Sequence, residues 1–329
     1  MRRREFIGFL GGAAAWPLAA RAQQSGRVRK IGVWMGRADD AEGQRTIKAF
    51  REALEARGWT EGQNLRTDLR WVSGDDNRQA SAQEMVAQQP DVMVAETTPG
   101  ATTLSKASGA IPIVFVNVSD PVGNGLVASL AKPGGTITGF ISNEPTLGSK
   151  WPELLREIAP DTKRIGFLFN PDTSPHAQAF LRTAEISAAA FGIELKASRF
   201  HDNTEIEQAV AALASEPNGG LIVLPEPTTN VFACSEFIIA AAARHRLPTI
   251  YAYRFQAVAG GLISYGVDLA DSFMDAASYV DRILRGEKPA ALPVQAPTKF
   301  TLVVNLKTAT ALGLTVPMST LLRANEVIE

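Results

Sequence analysis

Polar side chains stand where apolar, β-branched runs of this sequence end, and their types define the chemistry open to them. Residues 91–95 lead into Glu96-Thr97-Thr98-Pro99-Gly100, and residues 111–116 into Asn117-Val118-Ser119-Asp120-Pro121. In the second half, residues 164–169 end at Asn170, residues 220–224 at Pro225-Glu226, and Tyr253, Tyr265 and Asp268 come after them. Thr97 and Thr98, with the N–H groups of a helix start behind them, can take a carboxylate. Asp120, Glu226 or Asp268 can take an ammonium once desolvated. Tyr253 or Tyr265 can cover an apolar portion and help exclude water. With Asn117, Ser119 and Asn170 these residues form one expected cleft lining. Each also has an ordinary structural use, as a helix cap, a turn former or a core aromatic. Burying an acid against a ligand without a cation is costly, so the acids favour a ligand bearing positive charge over a dicarboxylate.

Catalysis finds less support. His176, His201 and His245 are scattered without metal-ligand spacing. No G-x-S-x-G occurs, and Asp39-Asp40 and Asp75-Asp76 read as helix-start carboxylates. Gly123-Asn124-Gly125-Leu126-Val127-Ala128 fits G-x-G-x-x-A. A dinucleotide turn needs the first strand and a full helix, whereas here Pro121 precedes the motif and Pro133 breaks the helix after barely two turns. Neither an enzyme nor a cofactor or metal is expected.

The elements that position these groups come twice. Residues 30–35 predict a buried strand, then a helix with Ile47, Phe50 and Leu54 on one face and a stop at Gly58. Residues 164–169 predict another strand, whose helix stops at Gly192. Each glycine lies 27 residues after the isoleucine of its strand, Ile31 or Ile165. Residues 64–72 read as a second strand, and Asp75 and Asp76 as the cap of a helix reaching about Gln88. After the strand at 111–116 come a short helical piece, the Pro133-Gly134-Gly135 break, and a strand at 137–142 leading out of the first lobe.

The second half predicts a helix through Leu154, Leu155 and Ile158, and a capping box at Thr204-Glu205-Ile206-Glu207. Strands come next at 220–224 and 261–268, then a helix with Phe273, Ala276, Val280 and Leu284 ended by Gly286. A proline-marked linker at 288–293, a strand at 300–305 and a helix at 308–312 close the chain. Half-chains of the same order, offset by roughly 130 residues, imply two similar α/β lobes with parallel sheets rather than one large sheet. The first lobe is expected to comprise 23–142 plus 268–296, the second 143–267 plus 297–329. Three crossings, near Ser142, Asp268 and Gln295, would form a hinge that opens and closes.

The first 22 residues read as an export signal rather than as fold. Arg2-Arg3-Arg4-Glu5-Phe6-Ile7 is a twin-arginine start, a short glycine-containing apolar core comes after it, and Ala20-Arg21-Ala22 offers a cleavage site after Ala22. A membrane anchor needs about 20 apolar residues, and this core is shorter. No cysteine immediately follows the cleavage site to carry a lipid anchor, so the expected product is free in the periplasm. Without these 22 residues, which carry four arginines and one glutamate, the formal net charge of −1 becomes −4. That acidity argues against a nucleic-acid partner. The lone cysteine, Cys234, cannot form an internal disulfide and reads as a buried, inert thiol.

The stretches Ile111-Pro112-Ile113-Val114-Phe115, Asp120-Pro121-Val122, Gly125-Leu126-Val127 and Pro133-Gly134-Gly135-Thr136-Ile137-Thr138-Gly139 resemble the substrate-binding proteins of ABC transporters of the tryptophan-binding-protein-like group. So do residues 260–266, Ile283-Leu284-Arg285-Gly286 and residues 305–313. The resemblance implies a type I periplasmic-binding-protein fold of two Rossmann-like lobes on a three-segment hinge. It also implies capture of an amino acid or another small organic molecule between the lobes, and delivery by a monomer to a membrane permease with its ATPase. A two-lobed sensor feeding a signalling partner would share the fold but would need a further module.

Overall fold

The computed structural model describes residues 27–73, 77–141, 144–229 and 232–329. The export signal, Asp75, Asp76 and Ser142 lie outside the described residues. The first lobe is built from β1 (Arg29–Met35), α1 (Ala41–Glu55), β2 (Leu65–Trp71), α2 (Arg78–Ala87), β3 (Val92–Glu96), α3 (Thr98–Ser108), β4 (Ile113–Val118) and β5 (Ile137–Ile141). These strands form a parallel sheet in the order β2-β1-β3-β4-β5. β3 and β4 are buried throughout, as strands covered by helices on both faces must be.

The second half repeats the plan with α4 (Lys150–Ile158), β6 (Arg164–Phe169), α5 (Ala177–Ala190), β7 (Glu194–Arg199), α6 (Asn203–Ala214) and β8 (Gly219–Val223). It continues with α7 (Phe232–Arg244), β9 (Thr249–Tyr251), α8 (Arg254–Val258) and β10 (Ile263–Gly266). Its strand order, β7-β6-β8-β9-β10, matches the first sheet position for position. Beyond β10 the sheet gains β11 (Thr301–Asn305), antiparallel to β10, and β12 (Glu326–Ile328), parallel to β11. The second sheet is therefore parallel only up to β10.

α9 (Leu269–Leu284) returns to the first lobe. Its Phe273 meets Phe50 of α1 edge to face at 5.9 Å, and Trp59 donates its indole N–H to Asp281 at 2.8 Å. Phe273, Ala276, Val280 and Leu284 are buried in one cluster with Ile31, Val33, Phe50, Val114 and Val116. Gln295 then lies along β5, accepting from Ile141 N and donating to Gly139 O, both at 3.0 Å. Gly139 is required there, since a Cβ would stand 2.1 Å from the Phe115 carbonyl oxygen. The chain ends in α10 (Leu306–Leu312), closed by Gly313 in the left-handed region at φ 76°, and α11 (Met318–Arg323) before β12.

The segment after β4 departs from expectation. In place of a short helical piece, residues 121–126 form successive turns. Asp120 sits at φ 44°, its carboxylate accepts from Gly123 N at 2.8 Å, and the Asn124 amide donates to the carbonyls of Ser119 and Asp120. Such local side-chain bonds offer the backbone an alternative to the helix ladder.

Candidate ligand-binding site

In a sheet of order 2-1-3-4-5 the carboxyl ends of the strands flanking the order reversal, β1 and β3, form a natural crevice. Each lobe places one acid near that point. Glu96, the last residue of β3, is fully buried and accepts from Gly36 N at 3.0 Å and from Arg37 Nε at 3.0 Å. Arg37 Nη2 completes the pair at 2.8 Å. Burial opposes the charge on Arg37, yet Glu96, helped by Asp40 and Glu42, holds its pKa above the ordinary value. In the second lobe Glu226, after β8, accepts from Thr173 Oγ1 at 2.6 Å, Thr228 N at 2.7 Å and Thr229 N at 3.1 Å. It has no arginine partner among these contacts, and burial raises its pKa against those hydrogen bonds.

The remaining expected residues divide by what holds them. Thr97, at φ 70°, caps α3 by accepting from Gly100 N at 3.4 Å. The Thr98 hydroxyl accepts from Ser119 N at 3.0 Å and so ties the end of β3 to that of β4. Asn170 accepts from Asp172 N at 2.9 Å within its own loop. Tyr265 is half-buried against Phe300, with ring centroids 5.8 Å apart. Asp268 caps α9 through Ala270 N at 2.8 Å and pairs with Arg45 at 2.6 Å.

Asn117 and Tyr253 meet across the lobes. The Tyr253 hydroxyl donates to Asn117 Oδ1 at 3.2 Å, and the two residues are buried, at 6% exposure for Asn117 and 1% for Tyr253. Asn117 occupies φ 58°, a conformation that asparagine tolerates better than most residues. Its Nδ2 is buried with no hydrogen-bond partner. Beside this contact a cleft of about 410 Å³ opens between the lobes. Thr98, Ser119 and Asp120 line it from the first lobe, with Arg78, Pro99 and Asn124, and Asp172, Thr173, Pro175, His176 and Pro227 face them from the second. Thr97, Asn117, Asn170, Glu226, Tyr253, Tyr265 and Asp268 do not line this cleft. Asp268 instead borders a cavity of about 400 Å³ on the hinge, with Asp271, Asp275 and Lys299.

On the hinge side a chain of charges spans the lobes. Asp268 meets Arg45, and Arg45 meets Glu42 at 2.7 Å. Glu42 stands 3.6 Å from Arg254 of the second lobe, which also grips Glu326 at 2.6 Å and 2.8 Å. Sequence reasoning missed Arg78 and His176 as residues that line the cleft, and the ion-paired Arg37, Arg45 and Arg254. Position was the available signal, because Arg37 and Arg254 each stand just past the end of a strand. Among the described residues no group of three or more His, Cys, Asp or Glu side chains is placed to hold a metal. Among the same residues no helix is long and apolar enough to cross a membrane. Cys234 is partly buried, and burial, with Glu226 adding, pushes its thiol up to about 12, so the reactive thiolate is scarce at neutral pH.

Over residues 37–328 the chain matches the family described as ABC transporter substrate binding protein. It is 28% identical over 272 residues to a tyrosine-binding protein of Clostridioides difficile (strain R20291), covering 81% of this chain and 76% of that protein. Among solved structures, a conserved domain protein from Vibrio cholerae O1 biovar El Tor str. N16961 shares 31% identity at a TM-score of 0.78, covering 92% of this chain and 100% of that one. An ABC domain from Streptococcus pneumonia, crystallised in complex with L-Trp, shares 26% identity at a TM-score of 0.80, covering 91% and 99%. The matched residues run from the loop after β1 to β12 and so take in both lobes; the chain belongs to the family of ABC transporter substrate-binding proteins, which are binding proteins rather than enzymes.

Proposed function

We propose that this protein is the exported solute-binding component of an ABC uptake transporter and that it closes its two lobes on an amino acid, most favourably an aromatic one. The observation that carries this reading is Asn117, held by Tyr253 of the opposite lobe so that a buried Nδ2 donor is left to bond a solute. A buried donor without a partner costs about 1–3 kcal/mol, which a solute carboxylate relieves. The Thr97 and Thr98 hydroxyls are engaged within the first lobe, so Asn117 is the better carboxylate ligand. Of the three acids weighed for the ammonium, Asp268 already has Arg45 and Glu226 has three donors of its own lobe. Asp120, exposed and lining the cleft, is the acid assigned to the ammonium. The relatives named for tyrosine and crystallised with L-Trp support the aromatic class.

In this reading residues 23–142 with 268–296 move as one lobe and 143–267 with 297–329 as the other. The twin-arginine segment directs export and is cut after Ala22, and the mature chain works in the periplasm as a monomer. It delivers its solute to a permease coupled to an ATPase. Glu42 and Arg254, facing each other across the lobes, add a charge contact that favours the closed form. Calorimetric titration of the mature protein with L-tryptophan, L-tyrosine, L-phenylalanine, L-glutamate, succinate and glucose tests the class. Saturable binding of aromatic amino acids above the other compounds is expected. Tight binding of succinate or glucose, with none of the aromatic amino acids, would overturn it.

A further inference from the structure

Glu226 is a buried acid that the proposed capture of an amino acid leaves without a role. It is 2% exposed and precedes Pro227, which lines the cleft. Its Oε2 accepts from Thr228 N at 2.7 Å and its Oε1 from Thr229 N at 3.1 Å. A backbone N–H can only donate, so one such donor on each oxygen holds the group as a carboxylate. Burial raises its pKa, and these bonds oppose the rise. Oε2 also lies 2.6 Å from Thr173 Oγ1. Oxygens that close share a proton, and with the acid ionised that proton is the hydroxyl's own. Thr173 Oγ1 stands 2.9 Å from Thr228 Oγ1 as well. Having spent its single proton on Glu226, Thr173 accepts in that second bond. A hydroxyl has one donor and two acceptor sites, so Thr173 keeps one lone pair and has no proton to give.

Thr173 is half-buried and lines the cleft from the second lobe, with Ser119 and Asp120 on the facing wall. A hydroxyl that can only accept selects a donor, and a charged donor most strongly. The carboxylate behind it polarises that hydroxyl, and its negative charge, with no cation among its contacts, favours a cation at this wall. We infer that Thr173 is a specificity-determining residue that accepts a hydrogen bond from the solute ammonium, and that Glu226 is the positioning residue that fixes its hydroxyl as an acceptor. This rests on the amino-acid reading of the site. It deepens that reading by giving the ammonium a partner on each lobe, Asp120 and Thr173, so that one group of the solute draws both lobes together.

The test titrates wild-type protein, Thr173→Val, Thr173→Ser and Glu226→Gln with L-tryptophan and with indole-3-propionate, which has the same ring and carboxylate but no ammonium. The wild type should prefer L-tryptophan. Valine keeps the shape of threonine without the hydroxyl, and the preference should fall about tenfold while affinity for indole-3-propionate holds. Serine restores the hydroxyl and should restore the preference. Glutamine keeps the size of Glu226 without its charge, and should lower the preference in the same direction, again with indole-3-propionate unaffected. A merely structural role for the pair would weaken both compounds alike or neither, and either result overturns the inference, as would equal loss of the preference in Thr173→Ser and Thr173→Val. A wild type that binds L-tryptophan no better than indole-3-propionate also overturns it and leaves the aromatic reading intact, whereas one that binds neither compound overturns both. Should Thr173→Val fail to fold, Thr173→Ala takes its place and the same ratio decides.

Discussion

Replacing Asn117 by glycine should weaken binding of L-tryptophan and L-tyrosine by about 10- to 100-fold, the equivalent of one charge-assisted hydrogen bond lost. Glycine is chosen because Asn117 stands at φ 58°. Glycine adopts that conformation without strain, whereas alanine would add a backbone cost unrelated to the ligand. The substitution removes the Nδ2 donor and the Oδ1 acceptor that receives Tyr253 from the other lobe. It also removes a buried unpartnered amide, so the melting temperature of the ligand-free protein should change little. Calorimetry on the variant, with a thermal melt as control, reads both quantities. Affinity within threefold of wild type, roughly 0.7 kcal/mol on the usual scale, would remove Asn117 from the site.

The largest effect on stability should come from Arg37→Leu. Glu96 has no exposure at all, and its nearest cation is Arg37 at 2.8 Å. Removing one partner of such a buried pair typically costs about 3–5 kcal/mol, because the remaining charge is left uncompensated. The Gly36 N–H bond to Glu96 at 3.0 Å survives but does not neutralise the carboxylate. The double variant Arg37→Leu, Glu96→Leu should recover much of the loss, since well-packed apolar replacements of buried pairs are often neutral. Urea unfolding of the two variants beside wild type measures this. Equal stability of wild type and Arg37→Leu would show that Glu96 is not held as a carboxylate by Arg37.

The duplicated lobe plan was legible because its signals are local. Buried parallel strands read as apolar runs at residues 30–35, 111–116, 164–169 and 220–224. The helix stops at Gly58 and Gly192 come after their strands at one spacing. β7 was not legible: its residues, Glu194-Leu195-Lys196-Ala197-Ser198-Arg199, are largely exposed at the sheet edge and carry no buried run. Nor was β12, three half-buried residues that pair with β11 from far along the chain. The turns after β4 were misread because apolar spacing in 122–130 suggests a helix, while Asp120 and Asn124 bond the backbone first.

In the site, position at strand ends was readable, but choice of partner was not. Thr98 bonds Ser119, Asp268 bonds Arg45, and Glu226 bonds Thr173. The separations in sequence range from 21 residues for the first to 223 for the second. Only the folded chain determines which of these polar groups spend their hydrogen bonds on the scaffold and which keep one for a solute. Asn117 Nδ2 and His176 Nε2 are buried without a partner, and of these two residues His176 alone lines the cleft.

Capture between two lobes has one direct physical consequence. The contacts between Asn117 and Tyr253 and between Glu42 and Arg254 form only when the lobes are together, and a solute that bridges them must shift the population towards that form. A shift from mostly open to mostly closed needs about 5 kcal/mol of differential binding. Small-angle X-ray scattering of the mature protein, without solute and with L-tryptophan at a concentration that calorimetry shows to be saturating, measures the change. The radius of gyration should fall on addition of the amino acid, whereas saturable binding with an unchanged radius would contradict capture by closure of the lobes.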